Sequence, residues 1–138
     1  MIKIGDFYRI KMDDKDGITP KGNDTHRYKY VIIIGHDKNT LYGAVVTNTK
    51  DHHLIPIEFQ YPISLHEYKC YVNCHKLYEV SSERLKPDCF QGNISKDDYE
   101  LIVGCVKTSQ LISNKKLKKF GLLWYNQNKL WFSLSWKR

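Results

Sequence analysis

The sequence predicts a mainly β fold with one packed helix, a small and strongly bent antiparallel barrel. Two observations carry that prediction. Short runs of β-branched and aromatic residues recur between turn residues along most of the chain. Only one stretch, beginning near Ser95, has the spacing of an amphipathic helix.

The first strand is read over residues 5–12, where Phe7, Tyr8 and Ile10 stand in "GDFYRIKM". A polar loop with two turn signals follows, Asp13 to Gly17 and Pro20 to Asp24, too long for a tight hairpin. The second strand, 28–35, holds the uninterrupted run Val31-Ile32-Ile33-Ile34 closed by Gly35. Four β-branched residues in a row describe a strand buried on both faces. Turn residues 37–39 lead into a third strand over 41–48, predicting an antiparallel hairpin. An irregular stretch over 49–62 carries Lys50, Asp51, His52 and His53. Further strands are read at 55–60, 71–74 and 77–80.

The helix opens at Ser95 as cap, with Asp98 three residues on and Asp97 favouring its positive end. Tyr99, Ile102, Val103 and Val106 then form one apolar face laid on the sheet. Beyond it, Lys115-Lys116-Leu117-Lys118-Lys119 is a basic cluster, read either as phosphate-binding or as a solvated turn or helix end. Segments 122–125 and 130–136 flank Asn126-Gln127-Asn128 as a C-terminal hairpin, with Leu130, Phe132, Leu134 and Trp136 on one face. The organisation expected is one domain, 1–112 forming the barrel and helix and 113–138 a basic segment and hairpin added to it.

The chain has 138 residues, 41% hydrophobic and 27% charged, a globular composition. No apolar run approaches bilayer-spanning length, and the N-terminus meets Asp6 before a signal-peptide core could form, so the cytoplasm and no membrane partner are expected. Lys and Arg number 22 against 15 acids, a net charge of +7 that biases the chain toward polyanions. The 18 aromatic rings (ten Tyr, five Phe, three Trp) add surfaces able to stack bases or bind a partner, beside their use as core. Cys70, Cys74, Cys89 and Cys105 lack the paired spacing of a zinc ribbon and read as reduced, mostly buried thiols. No metal or other cofactor is expected; a zinc-stabilised adaptor built on Cys70, Cys74 and His75 with a distant fourth ligand is an alternative.

In order and spacing, "GDFYRI", "PKGNDTHRYKYVIII", "VVTNT", "YVNCHKL" and "GNISKDDYELI" resemble the MazF/PemK family of toxin endoribonucleases over roughly residues 1 to 110. The resemblance implies an SH3-like antiparallel barrel with a C-terminal helix, a homodimer, metal-free cleavage of single-stranded RNA, and a cognate antitoxin occupying the RNA groove. Arg27 matches the family arginine at the mouth of the second strand, with Tyr28 where proline usually follows. Thr49 matches the threonine ending the third strand, with Thr47 in place of proline. Gly5, Asp6 and Gly22 match the opening Gly-Asp and the first-loop glycine. The family's acid falls near His75 and Lys76, a departure.

The implied chemistry uses the substrate's 2′-hydroxyl as nucleophile and leaves a 2′,3′-cyclic phosphate. A phosphorane needs charge stabilisation, which the fork of Arg27 would supply and the Thr49 hydroxyl assist. His26 is the third catalytic candidate, although on an alternating strand it stands on the opposite face from Arg27. Lys21, Lys29, Lys50, His52 and His53 are the candidate RNA-binding residues, phosphate positioners under this reading and solubilising side chains otherwise. The alternative is a non-catalytic barrel of the same shape that binds nucleic acid or a protein partner.

Overall fold

The computed structural model describes residues 2–13, 26–37, 40–47 and 60–108. Seven strands form one antiparallel sheet: β1 (Asp6–Asp13), β2 (His26–Asp37), β3 (Thr40–Thr47), β4 (Gln60–Leu65), β5 (Tyr68–Asn73), β6 (Tyr78–Ser81) and β7 (Phe90–Asn93). Two short 3₁₀ turns separate β6 from β7, and the helix α1 (Lys96–Thr108) follows. The order across the sheet is β4-β5-β3-β2-β1-β7, with β6 pairing the first half of β3. The mainly β class with one helix is as expected. Among the described residues the sheet is open rather than a closed barrel, with β4 and β7 at its ends.

The run Val31 to Ile34 is buried throughout, and its alternation feeds two separate cores. Ile32 and Ile34 join Phe7, Tyr42, Ala44, Val46, Val72 and the apolar face of α1. Val31 and Ile33 join Tyr8, Ile10, Met12, Val45, Val80 and Leu85 on the other side of the sheet. A strand with water on neither face has no position for a polar residue, and the sequence supplies none there. The hairpin between β2 and β3 forms with Ile32 opposite Ala44 and a register shift between Ile33 and Gly35.

Gly43 lies opposite Ile33 in the β2–β3 ladder, beside the Val31 side chain. A Cβ placed there would lie 2.2 Å from Val31 Cγ1, so only a bare α-carbon fits. The opening Gly-Asp step is structural in this chain. Gly5 takes a φ of 91° and donates its N–H to the Ile33 carbonyl at 2.8 Å, while the buried Asp6 carboxylate accepts the Lys3 N–H at 2.9 Å.

Helix α1 begins as its sequence predicts. The Ser95 hydroxyl oxygen accepts the Asp98 N–H at 3.0 Å, one half of a capping box. The other half does not close: the Asp98 carboxylate turns to accept the Tyr61 hydroxyl at 3.0 Å. Tyr99, Ile102, Val103 and Val106 are all buried, each such side chain contributing about 1.5–3 kcal/mol of burial. The Tyr99 hydroxyl donates to the Ile34 carbonyl at 2.5 Å, fastening the first turn of the helix to β2.

Two strands differ from expectation. Gln60, expected to end a strand over 55–60, begins β4, with Tyr61 and Pro62 from the stretch read as irregular; Pro62 is accommodated because β4 stands at the end of the sheet. Phe90–Asn93, read as no strand at all, pairs with β1. Expected strand residues 55–59 and the C-terminal hairpin lie outside the described residues. Among the described residues no helix is long and apolar enough to cross a membrane.

Candidate nucleic-acid interface

Strand β1 sorts its side chains by parity. Tyr8, Ile10 and Met12 enter one core, whereas Phe7, Arg9 and Lys11 share the other face, Phe7 buried and the two cations exposed. The register sets Ile32 opposite Phe7, Tyr30 opposite Arg9, and Tyr28 opposite Lys11. Moving along these two strands, the face therefore changes from core to a surface of aromatic rings and cations. Tyr28 is 52% exposed, and the Arg9 guanidinium lies 4.3 Å from its ring centroid. Such a contact is worth about 0.5–1 kcal/mol at an exposed site. The Arg84 guanidinium donates to the Lys11 carbonyl at 2.6 Å, bringing another cation to the same end of β1.

Toward the core the surface is bounded by three rings. Phe7 and Tyr30 meet edge to face at 6.0 Å, and the His66 imidazole lies 5.6 Å from Phe7 and 6.4 Å from Tyr30. His66 and Glu67 form the tip of the β4–β5 hairpin, both at positive φ, 50° and 70°. That is the conformation of a type I′ turn, and its right-handed twist matches the flanking strands. Neither residue is the Gly or Asn such a turn prefers, so packing of the imidazole on Phe7 and Tyr30 offsets a backbone cost of about 1–3 kcal/mol per residue. Beside His66 opens a cleft of about 250 Å³ lined by Ser64, Gln91, Asn93, Ser95 and Asp98 among others. Partial burial and the hydrogen bond to Asp98 push the Tyr61 phenol up to about 12, so it stays a neutral donor across the physiological range.

The sequence-predicted residues are distributed unevenly. His26 and Arg27 are the first two residues of β2, opposite Asp13 and Met12, so the backbone of Arg27 is held in the ladder. Lys29 lies opposite Ile10 on the parity of Val31 and Ile33, across the sheet from Arg9 and Tyr28. Thr49, Lys21, Lys50, His52 and His53 lie outside the described residues. Tyr30 lies opposite Val46, so the start of β2 and the end of β3 at Thr47 fall at the same end of the sheet. Arg9, Lys11, Tyr30 and His66 are absent from the sequence-derived set. The signal for the first two was present in "FYRIKM", where cations alternate with buried residues.

Among the described residues no three His, Cys, Asp or Glu side chains come together as a metal site. Cys70 donates to the Ile63 carbonyl at 3.4 Å inside the core, and Cys74 is buried at the end of β5, so these two with His75 do not assemble one. Rings that offer stacking faces, flanked by guanidinium and ammonium groups, suit a single-stranded polyanion with planar bases. No protein-family model matches the chain, and no curated protein matches it at a significant level.

Proposed function

We propose that this chain is a MazF/PemK-like endoribonuclease with an SH3-like barrel core, cleaving single-stranded RNA without a metal through a 2′,3′-cyclic phosphate. The observation that supports the reading is the open aromatic and basic face of β1 and β2, with Arg9, Tyr28 and Tyr30, at the end of the sheet where β2 begins with His26 and Arg27. Bases stack on the rings and phosphates meet the cations, so the strand crosses the end of the sheet where Arg27 stands. Arg27 stabilises the pentacovalent phosphorane, Thr49 assists from the segment after β3, and His26 is the candidate proton carrier. The protein acts in the cytoplasm as a homodimer and is held in check by a cognate antitoxin that covers the same face.

A second reading, an RNA- or protein-binding module without catalysis, is favoured by one feature. The position of the family's acid holds His75 and Lys76, and the Lys76 ammonium lies 4.7 Å from the Tyr78 ring centroid, a stacking contact rather than a proton relay. Incubation with a long single-stranded RNA in EDTA, beside Arg27→Ala, separates the two. Fragments ending in 5′-hydroxyl and cyclic phosphate, reduced about 100-fold or more in the mutant, support the nuclease. Intact RNA bound equally by both proteins supports the module.

A further inference from the structure

Cys74 directly follows β5 and is fully buried, whereas Cys105 lies on the third turn of α1 and is half-buried. Both belong to the same core, Cys105 packing against the cluster that contains Cys74. Their side chains interact directly, two thiols from elements far apart in sequence, and the Cys74 sulfur also donates to the Val72 carbonyl at 3.8 Å. The other two cysteines differ. Cys70 is buried and engaged with the Ile63 carbonyl, and Cys89 packs against the opposite core.

We propose that Cys74 and Cys105 are a redox pair that a hydroperoxide converts to an intrachain disulfide, covalently tying α1 to the end of β5. The half-buried Cys105 is the sulfur an oxidant reaches first. Its thiolate attacks the peroxide oxygen, the O–O bond breaks, and hydroperoxide leaves as water or alcohol with a sulfenic acid on Cys105. The Cys74 sulfur then attacks that sulfenic sulfur, expelling water and closing the S–S bond. Two thiols lose two electrons and two protons, and the peroxide takes them up. The interaction of the two thiols works in the same direction: it favours the Cys105 thiolate and keeps the proton on Cys74 until Cys105 has been oxidised. Cys70, pushed up by burial, stays a thiol. The inference is independent of the nuclease reading, because it concerns the helix–sheet contact alone.

The test is peptide mapping of the full chain after hydrogen peroxide, with remaining thiols alkylated under denaturing conditions. A linked pair of peptides containing Cys74 and Cys105, lost on treatment with a dithiol, is the expected product. The oxidised chain should melt about 5–15 °C higher than the reduced one. In Cys74→Ser, Cys105 should stop at a sulfenic acid that dimedone captures. The wild-type map decides the matter even if that variant does not fold. Cys105 over-oxidised without a crosslink, bridges through Cys70 or Cys89, or four unreacted thiols would each overturn the proposal.

Discussion

One face of the sheet is built in two ways within the length of a single strand pair. Where α1 covers it, Ile32, Ile34, Val46 and Val72 meet Tyr99, Ile102, Val103 and Val106, and every one of these side chains is shut from water. A few residues along the same strands and on the same parity, Arg9, Lys11 and Tyr28 stand open. The backbone ladder is continuous through both halves, so the difference lies in side-chain choice alone. The covered half supplies rigidity; the open half begins at Tyr30, which still leans on the core, and leaves the Tyr28 ring for contact.

That contrast breaks most visibly at Ile102. Ile102→Ala leaves a cavity under the helix and should destabilise the fold by about 2–5 kcal/mol in chemical denaturation, with RNA affinity of the still-folded fraction unchanged. At Tyr28 the reverse is expected. Tyr28→Ala should leave the denaturation midpoint within about 0.5 kcal/mol, since half of the ring is in water, yet weaken single-stranded RNA binding by about 1–3 kcal/mol in a fluorescence titration. If both substitutions moved both readouts, the two halves would not be separable.

A smaller effect lies at the seam between them, where Tyr61 reaches Asp98. The folded phenol titrates near 12, above its ordinary value of 10.0. Its contribution to stability is therefore complete below pH 10 and is lost as pH rises through about 12. Asp98→Asn removes the carboxylate that disfavours phenolate, so ultraviolet titration should show one tyrosine moving down toward its ordinary range. An unchanged titration would mean that burial alone sets the shift.

The two halves were not equally legible in the sequence. The helix face at Tyr99, Ile102, Val103 and Val106 and the doubly buried run in β2 announce themselves by periodicity, because burial repeats with the backbone. Strand β4 was hidden by Pro62, which argues against a strand except at a sheet's end, and ends are fixed by topology. Strand β7, "FQGN", has little β preference and is held by pairing with β1. At the end of the sheet that the open face reaches, Arg27 and Tyr28 were legible only through the family resemblance, one as a match and the other in place of proline. His66 was not legible, since nothing local to "SLHEYK" says that its turn folds onto Phe7 and Tyr30. Contacts between residues distant in sequence leave no periodic trace.

Gly43 carries a consequence for descent rather than for folding. With a Val31 methyl already occupying the space of any Cβ, that position offers natural selection a single letter, whatever the chain binds or cuts. Surface residues such as Arg9 and Tyr28 are free to drift as partners change, while the narrow passage between β2 and β3 is not. A glycine four residues past Asn39, facing a β-branched run, is thus the mark to look for in diverged cousins of this chain whose working surfaces have ceased to look alike.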